Sequence, residues 1–414
     1  MRFLHLSDLH FGKSIYGTSL IGAGDQPAWV DRFLELVRTE TPEAVVIAGD
    51  VYDRSAPSAE AVELLSRLLT ELARQRIPVL LVAGNHDSAQ RLAFARELLG
   101  QQGVLISPAL TAPGRLAHVT LEDEAGPVTF WLMPYCFPAL VGEALGIEAP
   151  RSYDEAIRLL LAAQEIDFSQ RNVLIAHQNV TANGVEALRG GSETMVGGVG
   201  QVDYTAFDGF DYVALGHIHA ACPVGRDAVR YAGSPLCYHF DELRQPKKGA
   251  LLVELGPKGA PPRVETILLP PLHPLREERG EYEAIRDRLL ADAREGEYLR
   301  VALTDRRVSP EIASFFRELC RARGGVLMEI CSEYAPYAGT GGAPSAQAVR
   351  EKGVEELFAD FYAERRGGAT PDEDEWALLR YAGEALRRAD AHTPPTEDAV
   401  AGLIGLLMGR GNEA

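Results

Sequence analysis

The residues of this chain that could do chemistry are aspartate, asparagine and histidine side chains that recur directly after short apolar segments. In chain order they are Asp8, His10, Asp50, Asp53, Asn85, His86, Asp87, His177, His217 and His219. The sequence has ten histidines, and half of them fall in this set. These side chains offer nitrogen and oxygen ligands to divalent metal ions, with no thiolate among them. The pattern therefore predicts a metal site.

Two divalent ions would suit the hydrolysis of a phosphodiester. That reaction needs an acidified water and positive charge beside the phosphoryl oxygens, and two ions about 3.5–4 Å apart supply both. A carboxylate between the ions can bridge them, and Asp50 is the expected bridge. Neutral imidazoles and the Asn85 carbonyl oxygen would complete the coordination without cancelling the charge. Such ligands favour manganese, iron or zinc.

Each short motif also has an ordinary structural explanation. Asp8 and His10 could be a capping aspartate and a packed histidine, and the Gly49–Asp53 turn could simply lead into a helix. The sequence Gly84–Asp87 is much rarer. The joint order of all the motifs is very specific, and this order is what favours the metal site.

Alternating strands and helices are expected to position these residues. Apolar segments predict strands at Arg2–Leu6, Ala44–Ala48 and Val79–Val82, with helices between them. Ser58 is the expected N-cap of the second helix. The apolar face of that helix is predicted to be Ala61, Val62, Leu65, Leu68, Leu69 and Leu72. The β-α-β-α-β order implies parallel strands, whose carboxyl ends meet at one edge of a sheet.

Further strands and helices are expected downstream. Strands are predicted at Val128–Met133, Val173–Ala176, Tyr212–Leu215, Tyr231–Pro235 and Ala250–Leu255, the last two antiparallel. A smaller α/β unit is predicted to contain helix Tyr282–Ala291, strand Tyr298–Leu303, helix Ile312–Arg321 and strand Val326–Ile330. A proline-rich stretch and a Gly-, Ala- and Ser-rich linker suggest the boundaries. The expected organisation is a core at 1–270, a capping domain at 271–335, and a linker with C-terminal helices at 336–414.

Composition narrows the class of protein. Hydrophobic residues make up 46%, which is enough for a large core, and the net charge is −18. That charge mildly disfavours polyanionic partners, although bound metal could reverse it locally. Five scattered cysteines suit a reducing cytosol. No signal peptide or membrane span is expected, because a strand begins at Arg2 and the late apolar run 399–408 is short. A cytoplasmic, nucleoid-associated protein is the resulting expectation.

The order of motifs resembles that of the calcineurin-like metallophosphoesterases, and nearly the whole chain is similar to their SbcD nuclease-subunit branch, a double-strand-break repair exonuclease family. The matching segments are LHLSDLHFGK (4–13), AGDVYD (48–53), AGNHDS (83–88), FDGFDYVALGHIH (207–219), YAGSPL (231–236) and KKG (247–249). The resemblance implies a two-sheet α/β sandwich flanked by helices, a small α/β capping domain and C-terminal helices. It further implies two manganese ions.

The resemblance also implies a role for each site residue. One ion would be held by Asp8, His10, Asp50 and His219, and the other by Asp50, Asn85, His177 and His217. His86 would be the catalytic histidine that does not bind metal, and it would stabilise charge or protonate the leaving 3′ oxygen. Asp53 and Asp87 would support the ligands from behind. Asp53 stands where archaeal relatives have a histidine implicated in exonuclease action. The resemblance therefore does not imply which end of a DNA strand is cut.

Both the resemblance and the composition of residues 351–414 predict partners for this chain. The family implies DNA as substrate and a coiled-coil ATPase of the SbcC type, docking on helices within 351–409. Residues 351–414 hold 7 Lys and Arg against 14 Asp and Glu, and an acidic amphipathic tail usually docks on protein. A self-packing C-terminal bundle explains the same helices equally well. The helices at Ser58–Gln75 and Gln90–Gly100 are expected, by resemblance, to form a homodimer contact within a heterotetramer.

Two other functions share these ligands. A phosphodiesterase acting on a small nucleotide would not need the acidic C-terminal helices. A metal-binding scaffold that has lost catalysis would not need all seven ligands together with His86. Nuclease action at DNA ends, hairpins or single strands is therefore the first hypothesis.

Overall fold

A computed structural model describes residues 1–182, 184, 200–245, 248–292, 294–334, 359, 362, 370–373 and 375–376. The chain divides into two units, Met1–Tyr334 and Ala335–Ala414. In the second unit, the Glu375 backbone N–H donates to the Asp372 carboxylate at 2.8 Å, and the Asp372 N–H donates to Glu375 at 3.0 Å. This reciprocal pair caps the start of a helical stretch. The remaining predicted C-terminal helices lie outside the described residues.

The first unit alternates strands and helices. Its strands are β1 (Arg2–Leu6), β2 (Ser14–Ile15), β3 (Thr18–Ser19), β4 (Ala44–Ala48), β5 (Val79–Val82), β6 (Val104–Ile106), β7 (Ala117–Asp123), β8 (Gly126–Met133), β9 (Arg171–His177), β10 (Asn179–Thr181), β11 (Gln201–Asp203), β12 (Tyr212–Gly216), β13 (Cys222–Val224), β14 (Arg226–Tyr231), β15 (Gly249–Glu254), β16 (Arg263–Leu268), β17 (Leu275–Gly280), β18 (Tyr298–Leu303) and β19 (Val326–Ser332). Its helices are α1 (Asp25–Glu40), α2 (Ala59–Arg74), α3 (Ala89–Leu92), α4 (Arg96–Gly100), α5 (Pro138–Leu145), α6 (Tyr153–Ala162), α7 (Tyr282–Ala291) and α8 (Pro310–Ala322), with 3-10 helices at Tyr204–Phe207 and Phe240–Arg244.

Two six-stranded sheets form the body of this unit. Their strand orders are β16-β15-β1-β4-β5-β6 and β13-β14-β12-β9-β8-β7. In each sheet four strands are parallel, namely β1, β4, β5 and β6 in the first and β8, β9, β12 and β14 in the second. Antiparallel strands complete one edge of the first sheet and both edges of the second. The predicted parallel core is confirmed, and it is built twice.

The two sheets pack face to face on a buried apolar layer. The Phe3 ring meets Phe130 at 5.5 Å and Tyr212 at 5.7 Å between centroids, both edge to face. Helices α1 and α2 cover the outer face of the first sheet, and α5 and α6 cover that of the second. Strands buried on both faces read as continuous apolar segments, which is why the sequence revealed them. The two-sheet α/β sandwich flanked by helices is thus confirmed.

Several element predictions need correction. Val62 is 46% exposed, and Leu64 takes its place on the buried face of α2, because Val62 lies beside the stripe that contacts the sheet. The predicted strand at Tyr231–Pro235 is wrong. The strand there is β14, which is parallel to β12 and ends at Tyr231, because the chain turns at Gly233 with φ 75°. The single helix expected at Gln90–Gly100 is two short helices, broken where Ala95 has φ 56°.

The small α/β unit contains β17, β18 and β19 as one parallel sheet, with α7 and α8 packed on a core of its own. The helix at Tyr282–Ala291 and the strand at Tyr298–Leu303 lie as predicted. Strand β17 was not expected, because its sequence LREERG is highly charged. All five cysteines are free thiols. Within the described residues, no helix is both long and apolar enough to cross a membrane.

Candidate metal centre

The candidate ligands follow the carboxyl ends of five parallel strands. Asp8 and His10 follow β1, Asp50 follows β4 and Asn85 follows β5. From the second sheet, His177 ends β9, and His217 and His219 follow β12. Because the sheets lie face to face with these ends at one edge, the loops of both sheets meet there. Residues far apart in sequence thus form one cluster.

Asp50 and Asn85 lie at the middle of the cluster. The Asp50 Oδ2 atom is 3.4 Å from His177 Nε2, 3.7 Å from His10 Nε2 and 4.0 Å from His86 Nε2. The Asn85 Oδ1 atom is 3.0 Å from His177 Nε2 and 3.0 Å from His217 Nδ1. These two side chains touch ligands from both sheets, which is the arrangement that a shared metal site requires.

Overlapping triads of ligand atoms are close enough to hold ions. The atoms of Asp8, His10 and His219 lie within 4.8 Å of one another, and so do those of Asp8, Asp50 and His177. A third triad joins His10 and Asp50 with His86. Asp8 and Asp50 each belong to two triads, so the cluster offers two adjacent positions that share carboxylates.

The surroundings of His10 show whether the residues of the cluster fit a bound metal. Both ring nitrogens of His10 are buried and lack a hydrogen-bond partner among the described residues. Burying an imidazole whose nitrogens have no hydrogen-bond partner costs free energy, and a metal ion bound to one nitrogen would offset that cost. Burial also lowers the pKa of His10 well below its ordinary value, which keeps the ring in the neutral, ligating form. The residues fit divalent ions.

Similarity to known proteins agrees with this geometry. Residues 1–221, more than half of the chain, match the family described as calcineurin-like phosphoesterase. The chain belongs to this family. Hydrolysis of phosphate esters with divalent metals is the chemistry of this family. Residues 271–366 match a second family, described as the type 5 capsule protein repressor C-terminal domain.

One curated relative covers most of this phosphoesterase. The SbcD chain of nuclease SbcCD from Staphylococcus saprophyticus subsp. saprophyticus is 32% identical over 295 residues, which span 70% of this chain and 74% of that protein. The resemblance to SbcD nuclease subunits is thereby confirmed. Among solved structures, the phosphoesterase Yfce from E. coli has 16% identity and a TM-score of 0.25, covering 61% of this chain and 88% of that one. The protein TT1561 of Thermus thermophilus has 12% identity and a TM-score of 0.35, covering 64% and 98%.

The second ring nitrogen of two histidines is held by the phosphoesterase fold. His177 Nδ1 lies 2.8 Å from the Ala48 carbonyl oxygen, so Nδ1 carries the proton and Nε2 points into the cluster. His219 Nδ1 lies 3.1 Å from Glu242 Oε1. Metal-binding histidines typically donate their other N–H to a carbonyl or carboxylate, which fixes the tautomer. Both rings are thus oriented for ligation through Nε2.

Glu242 is a supporting residue that the sequence did not reveal. It is fully buried, and its Oε2 atom lies 2.7 Å from the Lys248 ammonium group. Burial would raise the pKa of Glu242, but the hydrogen bond from His219 and the charge of Lys248 outweigh it and hold the pKa well below the usual range. Lys248 belongs to a matching segment, but no spacing rule pointed to Glu242. Only the fold brings it behind His219.

Asp87 braces two loops. Its carboxylate accepts from the backbone N–H groups of Gly84 at 2.9 Å, Val51 at 3.0 Å and Tyr52 at 2.9 Å. The interpretation that it braces its turn agrees with these contacts. Only glycine fits at position 84, because a Cβ atom there would lie 2.1 Å from Asp50 Oδ1.

Asp53 acts through its backbone as well as its side chain. Its carboxylate lies 2.7 Å from the Lys13 ammonium group and 3.7 Å from His10 Nδ1. Its carbonyl oxygen lies 2.9 Å from His86 Nδ1. His86 therefore carries a proton on Nδ1, and its Nε2 atom faces Asp50.

The backbone of the cluster is strained. Asp8, His10, Asp50 and His217 have φ values of 53°, 43°, 48° and 109°, in a region that residues with a side chain seldom adopt. Such conformations persist only where the surroundings enforce them, and they gather at functional sites. Part of that support is Tyr238, whose hydroxyl donates to the Leu9 carbonyl oxygen at 2.7 Å. Sequence reasoning did not identify Tyr238.

Proposed function

We propose that this chain is the nuclease subunit of a DNA repair and recombination complex, and that it hydrolyses DNA phosphodiester bonds at ends, hairpins or single strands. The observation that carries the proposal is that seven ligand-type side chains from both sheets, Asp50 and Asn85 among them, lie in one cluster. The relative named as a chain of nuclease SbcCD supports nucleic acid as the substrate. A cytoplasmic, nucleoid-associated location would follow from that substrate.

The ions are proposed to be two, with manganese the first candidate. Asp8, His10, Asp50 and His219 would hold one, and Asp50, Asn85, His177 and His217 the other. When bound, the pair supplies an acidified water and positive charge beside the phosphoryl oxygens. The protein holds the carboxylates and imidazoles in place through Ala48, Glu242 and the strained loops.

His86 is proposed as the proton donor to the leaving 3′ oxygen. Its Nδ1–H donates to the Asp53 carbonyl oxygen at 2.9 Å, so His86 would act as an imidazolium that keeps this proton and gives up the one on Nε2. That atom lies 4.0 Å from Asp50 Oδ2, at the surface of the cluster. Histidine is the side chain best suited to proton transfer near neutral pH. A proton placed there can reach an oxygen of a phosphodiester held by the ligands.

The partner is proposed to be an SbcC-type ATPase that docks on the segment 351–409, most of which lies outside the described residues. A net charge of −18 is a poor basis for gripping DNA alone, and a partner would supply the missing affinity. The name of the curated relative marks it as one subunit of a complex. Truncation before Gly341 should abolish capture of the ATPase, and retained capture would refute the docking segment.

A second copy of this chain is proposed to bind at α2 and α4. A groove of about 480 Å³ lies between these helices, lined in part by Leu65, Leu69 and Leu99. Phe94 beside it is 80% exposed. Exposed apolar side chains around an apolar groove are typical of a protein interface. The expected assembly is a homodimer within a heterotetramer, and Phe94→Glu should shift the chain to monomer in analytical ultracentrifugation.

His86→Ala tests the catalytic assignment. Loss of a positioned proton donor should lower kcat on DNA by about 10²- to 10⁴-fold. The loss should be smaller on bis(p-nitrophenyl) phosphate, because nitrophenolate leaves without needing a proton. Elemental analysis should still find two ions per chain. His118→Ala, which alters a histidine elsewhere, is the control.

Full activity of His86→Ala with both ions bound would refute the assignment.

The substrate class is tested on the parent chain with manganese, using labelled linear and hairpin DNA beside a cyclic nucleotide, with and without the ATPase. Cleavage of the cyclic nucleotide but never of DNA would favour the small-nucleotide phosphodiesterase.

A further inference from the structure

A groove lies beside the metal centre, and neither the candidate ligands nor the proposed partner contacts account for it. It has a volume of about 550 Å³, within the range of small-molecule sites. Its lining includes Asn85, Gln90, Thr111, Tyr135, Phe137 and Leu140. We call it the aromatic groove, after Tyr135 and Phe137.

The aromatic groove opens directly on the candidate ligands. Asn85 lines it, and the Oδ1 atom of Asn85 is 3.0 Å from His177 Nε2. The Tyr135 ring lies 6.3 Å from the His177 ring between centroids. A backbone hydrogen bond of 2.8 Å from Tyr135 to Ala83 ties the two walls together. A group bound in the groove would therefore adjoin a phosphate held at the ligands.

The charge of the groove excludes a phosphate as its own occupant. Among the described residues that line it, none is lysine or arginine, and the two charged ones are Asp87 and Glu143. Asp87 already accepts three backbone hydrogen bonds, from Gly84, Val51 and Tyr52. The lining is otherwise apolar or neutral. An uncharged group with polar edges fits such a surface better than the sugar–phosphate backbone does.

Phe137 offers a free aromatic face. Its side chain is 41% exposed, and it makes no ring contact with any aromatic residue in the described part of the chain. It precedes Pro138, the first residue of α5, so its backbone is held at a helix start. Tyr135, on the same groove, is fixed by a 3.4 Å contact between its hydroxyl and that of Tyr153. An exposed phenyl ring on a rigid support is what a planar ligand stacks on.

We propose that the aromatic groove holds the base of an unpaired nucleotide next to the scissile phosphate, stacked on Phe137. This inference rests on the proposed function, because it takes DNA as the substrate. A base can enter the groove only after leaving the duplex, as it does in enzymes that extrude their target nucleotide. The substrate at the cut is therefore single-stranded or frayed DNA, and the stacked base contributes to its binding.

Phe137→Ala tests the stacking on the full-length chain with manganese. The substrate is a single-stranded oligonucleotide, intact or with an abasic residue at either nucleotide flanking the cut. On intact DNA, kcat/KM should fall by about 5- to 150-fold. On DNA that is abasic at the stacked position, Phe137→Ala should cause no further loss, because the interaction is already missing. Phe137→Tyr should restore the parent rate.

A binding measurement gives a readout independent of turnover. An oligonucleotide with 2-aminopurine at the stacked position should lose fluorescence on binding the parent chain, and much less on binding Phe137→Ala. The matched control is Phe168→Ala, since Phe168 is 42% exposed and packs against Phe210, away from the groove. Phe168→Ala should leave both measurements unchanged.

The outcomes separate this inference from the proposed function. Equal loss by Phe137→Ala on intact and abasic DNA, or an unchanged rate on intact DNA, would overturn the stacking while leaving the nuclease in place. Absence of DNA cleavage by the parent chain would overturn the proposed function, and the inference with it. Dimerisation lost in Phe137→Ala would show that a second copy occupies the groove, which also overturns the inference.

Discussion

The two ends of the central strands treat buried charge in opposite ways. At the carboxyl ends, Asp8, Asp50 and His10 crowd together, and both His10 ring nitrogens lack a hydrogen-bond partner among the described residues. At the other end, Arg171 begins β9 and donates to the Asp123 carboxylate at 2.5 and 3.0 Å. Both of these side chains are buried. The same pair of sheets therefore ends in unsatisfied ligands on one side and a satisfied ion pair on the other.

This difference shows which buried charged groups stabilise the fold and which remain available to bind a ligand. Arg171 also donates to the carbonyl oxygen of Gly256, so its guanidinium is satisfied by the protein alone. We call the side of the sheets at the carboxyl ends of the strands the chemistry edge. Its strained loops are held in place by supports such as Glu242, and the unpaired ring nitrogens of His10 suit a metal ion. Substitutions at the two edges should accordingly separate metal binding from stability.

Asp50→Asn should have the largest effect at the chemistry edge. Asparagine keeps the size and one acceptor oxygen but loses the shared charge, so manganese affinity should fall by more than about a hundredfold, beyond what loss of a supporting residue costs. Elemental analysis after desalting should find less than two ions per chain, and unfolding of the metal-free chain should change little. Asp31→Asn, at an exposed carboxylate paired with Arg67, is the control. Unchanged metal content would exclude Asp50 as the bridge.

Asp123→Asn should have the reverse effect at the opposite edge. It leaves the Arg171 guanidinium buried without its charged partner, which typically costs about 3–5 kcal/mol. The urea midpoint should fall while manganese content stays at the parent value. The comparison of the two edges would fail if this variant lost metal without losing stability. Asp227→Asn, at an exposed carboxylate, should change neither.

The contribution of Asp123 should also depend on pH. The hydrogen bonds from Arg171 hold the pKa of Asp123 well below its usual range. A carboxylate with a depressed pKa contributes stability that is fully present above its unfolded pKa, about 3.9, and is lost as the pH falls toward the folded pKa. The difference in urea midpoint between parent and Asp123→Asn should thus be constant from about pH 7 to 6 and shrink below about pH 4. A difference that grew in acid would contradict this assignment.

Glu242→Gln should have the smallest effect of these changes and sharpens the comparison, because Glu242 is buried and paired like Asp123 but serves the chemistry edge. Loss of the carboxylate behind His219 should weaken manganese binding by about 10- to 100-fold. Titration calorimetry with manganese measures the change. Glu254→Gln, at an exposed strand end, is the matched control. An unchanged affinity would mean that Glu242 serves stability alone.

Much of the fold was predictable because the central strands are buried on both faces. Strands β1, β4 and β5 lie where their apolar segments predicted them. The amphipathic period also located α2, with the Ser58 side chain accepting from the Ala61 N–H as its cap. Prediction failed where the local pattern was weak or misleading. Strand β17 is charged, and Val62 is apolar but faces solvent.

The sequence by itself determined the candidate ligands, since their types and spacing after apolar strands identify metal chemistry without any distance. The two-sheet core was implied by the resemblance to the metallophosphoesterases. Only the tertiary structure revealed the supports of His219 and His177, because Glu242 reaches His219 through space and the Ala48 carbonyl oxygen reaches His177 across 129 positions. The aromatic groove likewise exists only once loops from both sheets meet. Contacts between distant segments leave no periodic signal in a chain, and the fold alone creates them.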